Sequence, residues 1–149
     1  MKPELNAGKK FANPPDEERC RLLKQVRNIA VIGLSPDSSR DSHWIAKGLK
    51  KEGYHVIPVN PEADEVLGEK AYPALADVLE PIDLVDVFRR AEYVDGIVDD
   101  CLSLGLKALW IQSGIVNEAA ALRALAGGMT VVMDRCIYRD LTRICQQCA

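Results

Sequence analysis

The sequence predicts an α/β protein built on a doubly wound, open parallel sheet of five strands with helices on both faces, in the order 3-2-1-4-5. Three observations lead there. Short β-branched apolar runs alternate with amphipathic stretches along the chain. The runs are apolar at nearly every position rather than at every second one, as strands covered on both faces require. The first run ends at Gly33 in a Ser- and Arg-rich loop that leads into a helix, the place where a βαβ unit holds a phosphate or pyrophosphate.

The elements follow in order. Residues 16–26 form a helix, with Pro14 and Pro15 just before it and Asp16, Glu17 and Glu18 at the positive end of its dipole. Residues 29–34 are the first strand. Residues 43–51 are a helix capped by Asp41 or Ser42 and stopped by Gly53, with Trp44, Ile45, Gly48 and Leu49 on its inner face. The second strand is 55–59, ended by Asn60 and Pro61. A longer connection, 62–81, carries a short helix at 74–79. The third strand is 82–88. Residues 92–104 form a helix whose apolar positions Val94, Ile97, Val98, Cys101 and Leu104 share one face. A fourth strand at 108–111, a helix at 117–126 capped by Asn117 and a fifth strand at 130–133 complete the pattern. Right-handed crossovers leave few ways to arrange these pieces. The order 3-2-1-4-5 puts the point where chain direction reverses between the first and fourth strands.

Bulk properties narrow the class. A chain of 149 residues suits one domain with a real core. The expected division is a flexible arm at 1–15, the domain at 16–137 and a C-terminal tail at 138–149 with helical character. The net charge of -3 argues against a large nucleic-acid surface. No apolar run approaches the ~20 residues of a membrane span, and the polar first residues lack a signal-peptide core. A cytoplasmic protein with no membrane partner is expected. The cysteines number five, an odd and scattered set that does not resemble a secreted disulfide framework, so reduced thiols are expected.

Every strand ends in small or polar residues on one sheet edge. Gly33, Ser35, Ser39 and Arg40 follow the first, and the Arg40 guanidinium suits a bidentate phosphate clamp. The competing reading is that the serines cap a helix and Arg40 is solvated. Val59-Asn60-Pro61 follows the second, where NAD-binding folds of this type place an acid on the ribose. The amide there lowers the case for NAD or FAD, although Asn60-Pro61 also reads as a plain turn. Phe88, Arg89 and Arg90 follow the third, with one arginine expected to face the ligand and the other to cap or pair with Asp86 or Glu92. Gln112, Ser113 and Gly114 follow the fourth. Asp134, Arg135 and Cys136 follow the fifth. A cation beside Cys136 can make a thiol reactive, against the plainer reading of a half-buried thiol without a role. Asp95, Asp99 and Asp100 read as a solvated helix face, and a first-turn His43 as incidental. Cys145 and Cys148 form a single CxxC, short of the four ligands a structural zinc needs. No metal site and no catalytic constellation is evident.

Several stretches resemble the stand-alone CoA-binding domain family, whose fold is similar to the nucleotide-binding domain of the succinyl-CoA synthetase α-subunit. They are 29–35 with Ser39-Arg40, 53–61 with Val59-Asn60-Pro61, 66–75, 83–90 with Phe88-Arg89-Arg90, 110–114 with Gln112-Ser113-Gly114, 116–120, and 130–136 with Asp134-Arg135-Cys136. Together they run in order through about residues 15–136. The resemblance implies a Rossmann-like sheet and coenzyme A, or an acyl-CoA, as ligand. It assigns Gly33, Ser35, Ser39 and Arg40 to the phosphates, Val59, Asn60 and Pro61 to the adenosine, and Phe88, Arg89, Gln112 and Gly114 to the pantetheine side. The chain departs from the family after Cys136, with Ile137-Tyr138 where a proline and a lysine are expected, and at Ser113, where an apolar residue is common.

The expected function is therefore non-covalent binding of CoA or an acyl-CoA, without catalysis of its own. Synthetase relatives use further domains, so ligase activity would need a partner enzyme; a homo-oligomer is also compatible. Two alternatives stand beside it: a small NAD(P)-dependent reductase or nucleotide redox sensor, and a CoA-thiol redox protein using Cys136.

Overall fold

The computed structural model describes residues 10–146; residues 1–9 of the expected arm and 147–149 of the expected tail, with Cys148, lie outside it. In chain order the elements are α1 (Asp16–Gln25), β1 (Asn28–Ile32), α2 (Asp41–Lys51), β2 (His55–Val59), β3 (Glu65–Val66), β4 (Glu69–Lys70), a 3-10 turn (Leu75–Asp77), β5 (Leu84–Val87), a 3-10 turn (Ala91–Tyr93) running into α3 (Val94–Ser103), β6 (Ala108–Ile111), α4 (Glu118–Ala126), β7 (Thr130–Met133), and α5 (Ile137–Arg139), which continues as a π-helical stretch (Asp140–Cys145). The glycine stops and the Asn117 cap act as the sequence indicates, but α2 begins at Asp41 behind Arg40 with no side-chain cap, because the Ser42 hydroxyl is taken by the Ser35 N–H. Asn117 accepts the Ala120 N–H at 3.1 Å. Gly53 and Gly105 follow α2 and α3 with φ of 100° and 69°, the left-handed conformation a glycine takes at no steric cost.

The five-stranded parallel sheet is as expected, but its order is β2-β1-β5-β6-β7. The third strand of the main sheet lies beside the first, not beyond the second: Ile29 of β1 pairs with Leu84 of β5, and Asn28 with His55 of β2. The physical reason is Pro58. Proline donates nothing to a ladder and belongs on an edge strand. Its carbonyl faces outward and accepts the Tyr72 N–H at 3.0 Å, with Asn60 N–H donating to the Tyr72 carbonyl at 2.9 Å. In the expected order β2 would be flanked on both sides, and residue 58 would leave a rung unmade. The connection that follows carries the small antiparallel β3–β4 hairpin and the 3-10 turn in place of the expected helix at 74–79.

Alternate residues of each strand build two cores. Ile29, Val31, Leu84 and Trp110 face α1, α2 and the C-terminal segment through Leu23, Ile45, Leu49 and Ile137. Ala30, Val85, Val87 and Leu109 face α3 and α4 through Val98, Cys101, Ala121 and Ala124. The chain winds one way from β1 to β2 and the other way from β5 to β7, so its direction reverses between β1 and β5. That moves the switch point, and with it the crevice beyond the strand ends, one strand from where the sequence alone put it.

The far edge is covered by the chain before α1. The Asn13 side chain accepts the Met133 N–H at 2.8 Å and donates to the Met133 carbonyl at 2.9 Å, occupying edge groups that would otherwise invite another strand. The C-terminal segment packs on α1 and α2. Asp140, buried, accepts from Arg19 Nε at 2.9 Å and from both Nε and an Nη of Arg135. One expectation is corrected here: Cys20 of α1 and Cys145 are joined in a disulfide, with Cα atoms 5.2 Å apart. Folding brings these distant positions together because the C-terminal segment returns to α1, and spacing in the chain gave no hint of it. Cys101 and Cys136 are free thiols.

Candidate functional site

Gly33 closes the switch point. It leaves β1 with φ 85°, and its N–H donates to the Val59 carbonyl at 2.9 Å, while Phe88 N–H donates to the Ile32 carbonyl at 2.9 Å. A Cβ on Gly33 would lie 2.7 Å from the Phe88 carbonyl oxygen. Only glycine lets the two strand exits come this close and leaves backbone open to the crevice.

The loop from Ser35 to Arg40 is braced by its own side chains. Ser42, buried in the first turn of α2, accepts the Ser35 N–H at 3.0 Å. The Ser35 hydroxyl accepts the Asp37 N–H at 3.1 Å. Asp37 takes both the N–H and the hydroxyl of Ser39, at 2.9 and 2.8 Å. These bonds hold the Asp37 carboxyl below its ordinary pKa, the backbone bond from Ser39 first. His43 Nδ1 lies 2.9 Å from the Ser35 carbonyl. Asn60 ties this loop to the next: its amide donates to the Leu34 carbonyl at 2.9 Å and its oxygen accepts the Glu62 N–H at 2.8 Å. A carboxylate at position 60 has no donor for Leu34, which gives the amide a positive reason to be there.

These residues frame a cleft of about 670 Å³, lined by Gly33, Ser35, Arg40, Val59, Asn60, Pro61, Phe88 and Arg89. Ser39 joins Gly33, Ser35, Arg40 and Phe88 in an adjoining concavity of about 400 Å³. A third, of about 290 Å³, shares Phe88 and contains Gln112, Ser113 and Cys136. Gly114 stands outside all three; its N–H donates to Asp134 at 2.7 Å and shapes the turn. The sequence-derived candidates thus come together around Phe88, apart from Gly114.

The cleft holds two guanidinium groups with no ion-pair partner among the described residues. Arg40 is exposed. Arg89 is half-buried, its guanidinium carbon 4.2 Å from the centroid of the Tyr93 ring, a cation–π contact that orients it. Of the expected arginine pair, Arg90 turns to Glu92 at 3.9 Å and Arg89 lines the cleft. Asp86 is not its partner.

Some features were not foreseen. Trp44, expected on the inner face of its helix, is 46% exposed. It lines the third cavity with Ile45, Ile115 and Arg139. The available signal was the spacing of Ile45, Ala46 and Leu49, which share one face at about 3.6 residues per turn and leave Trp44 on the far side of the helix. Asp99 and Asp100 are exposed as expected, but they also border the main cleft, with Asp99 paired to Arg123 at 2.8 Å. Arg135 is engaged by Asp140, whose hydrogen bonds hold the guanidinium pKa above its ordinary value. No group of three or more potential metal ligands occurs among the described residues, and no helix there is long and apolar enough to cross a membrane.

Comparison with known proteins places this geometry. A family model described as a CoA binding domain matches residues 27–142. The YneT protein of Bacillus subtilis (strain 168) is 42% identical over 125 residues, covering 84% of this chain and 93% of that one. The structure of a hypothetical protein from Pyrococcus horikoshii OT3 superposes with a TM-score of 0.85 at 32% identity, covering 91% of this chain and 98% of that one. An ADP-forming acetate–CoA ligase II of Archaeoglobus fulgidus is 32% identical over 101 residues. That match takes in 66% of this chain but spans 15% of the ligase.

Proposed function

The chain belongs to the CoA binding domain family, and from that premise we propose that it binds coenzyme A or an acyl-CoA non-covalently in the cleft beyond β1 and β5. One observation carries the reading: two guanidinium groups without an ion-pair partner among the described residues, Arg40 and Arg89, line a cleft together with Gly33. Unpaired cations beside a helix N-terminus favour a polyanion. Gly33, Ser35, Ser39 and Arg40 take the phosphates, Val59, Asn60 and Pro61 border the adenosine, and Phe88 and Gln112 lead the pantetheine arm toward the third cavity.

The chain supplies binding and orientation. The bound group supplies a thiol or thioester at the end of that arm. In this reading any ligase chemistry belongs to a partner enzyme, because the chain matches only a small part of the ligase.

The test is calorimetric titration of ligand-stripped protein with CoA, dephospho-CoA and NAD, repeated with Arg40→Ala. CoA is expected to bind more tightly than the other two. A hydrogen bond to a charged group contributes about 1.5–3 kcal/mol, so Arg40→Ala is expected to weaken CoA by about tenfold or more. NAD binding as well as CoA would overturn the reading in favour of a reductase or sensor.

A further inference from the structure

The wall of the third cavity and the disulfide belong to one piece of chain. Residues 136–145 begin at Cys136 and Arg139, both on the cavity, and end at Cys145, bonded to Cys20 of α1. Between them Tyr138 stands edge-on to Trp44, another wall residue, with ring centroids 6.1 Å apart. The segment is helical from Ile137 to Cys145, so a displacement at one end is passed to the other through its backbone. Its second half is π-helical, a winding that is rare and occurs mostly as a single turn; tertiary contacts must hold it. Those contacts are the Asp140 cluster in the middle, a Gln146–Glu52 bond at 2.8 Å, and the disulfide, the covalent attachment at the far end among the described residues.

We propose that the Cys20–Cys145 disulfide is a redox latch on the thiol end of the cleft. A dithiol reductant donates two electrons and two protons. The S–S bond breaks, Cys20 and Cys145 become thiols, and the reductant leaves as its own disulfide. The end of the segment then parts from α1, the helix keeps only the Asp140 cluster and the Gln146–Glu52 bond, and the wall carrying Cys136, Tyr138 and Arg139 loosens against Trp44. In the oxidised form the wall is held and Cys136 stays half-buried. The consequence for CoA affinity rests on the function proposed above; the latch itself does not.

The free thiols report on it from opposite faces. Cys136 lies on the latched wall. Cys101 is wholly buried on the other side of the sheet, and burial, with the charge of Asp100, pushes its pKa up to about 12. Its alkylation therefore signals global unfolding. The experiment compares the Cys148→Ser protein, oxidised and after dithiothreitol, with the same chain carrying Cys145→Ser. Iodoacetamide labelling is followed by peptide mass spectrometry and CoA affinity by calorimetry. Coupling between sites typically changes affinity by about fivefold or more. Cys136 labelling is expected to speed up in both open forms, with Cys101 unchanged and CoA bound more weakly by at least that factor. Equal Cys136 rates in all forms, or a parallel rise at Cys101, would overturn the latch. Faster Cys136 labelling with no CoA binding in any form would support the latch and remove the proposed function. Should Cys145→Ser not fold, the reversible reduction of the Cys148→Ser protein makes the same comparison.

Discussion

Asp86 occupies the middle of the sheet between Val31 and Trp110, wholly buried, and neither carboxyl oxygen has a hydrogen-bond partner. An ionised carboxylate in such a place is costly, and burial drives its pKa well above the ordinary 3.8. The folded state therefore holds a proton that the unfolded chain releases. Stability associated with this group is fully present below pH 3.8 and is lost as pH rises toward the folded pKa. Asp86→Asn keeps the shape and removes the ionisation. Urea unfolding of this variant is expected to show a higher midpoint at pH 7 and a flatter profile above pH 4 than the parent; an unchanged profile would show that Asp86 is solvated. At this scale the sequence was partly legible. Gly33 and Arg40 stand out by type and position. The apolar run around Asp86 says nothing about whether an arginine reaches it, because that depends on side-chain direction at the next strand end.

Among elements, α2 shows how packing can reverse a propensity. Glycine inside a helix is about 1 kcal/mol worse than alanine, so Gly48 looks like a weak point. A Cβ there would lie 2.5 Å from Cε1 of Tyr138. Gly48→Ala is thus expected to push the tyrosine off α2 and lose about 1–3 kcal/mol by overpacking, measured by urea unfolding. In a Tyr138→Ala background the same change is expected to be neutral or stabilising, which separates this contact from any other cause. Strands and helices were readable here from apolar runs and caps, to within a few residues at their ends. The β3–β4 hairpin was not, because its strands are two residues each and too short for any periodicity. Pro58 did carry the edge position of β2 in plain sight; weighed against the strand order, it would have given the observed topology.

For the whole molecule, the disulfide joins residues 125 apart and so closes nearly the entire described chain into one loop. Cross-links of this kind contribute about 2–5 kcal/mol when native geometry accepts them. For a chain of this size each kcal/mol moves the thermal midpoint by about 2–4 °C. A calorimetric scan with dithiothreitol is therefore expected to show a lower midpoint than one without. An identical midpoint would mean that the unfolded chain gains nothing from release.

The sequence by itself determined the fold class, the position of most elements, the loop at Gly33 and the set of polar strand ends that share one edge. These are local properties: periodicity, capping and backbone freedom act over a few neighbouring residues. The tertiary structure decided which strands are neighbours and hence where the switch point falls. It left Arg40 and Arg89 without acidic partners while Arg90 and Arg135 have them, and it brought Cys20 to Cys145. Each of these is a contact between residues far apart in the chain. Such contacts are selected by how two layers of helices close over one sheet, and no local pattern encodes that choice.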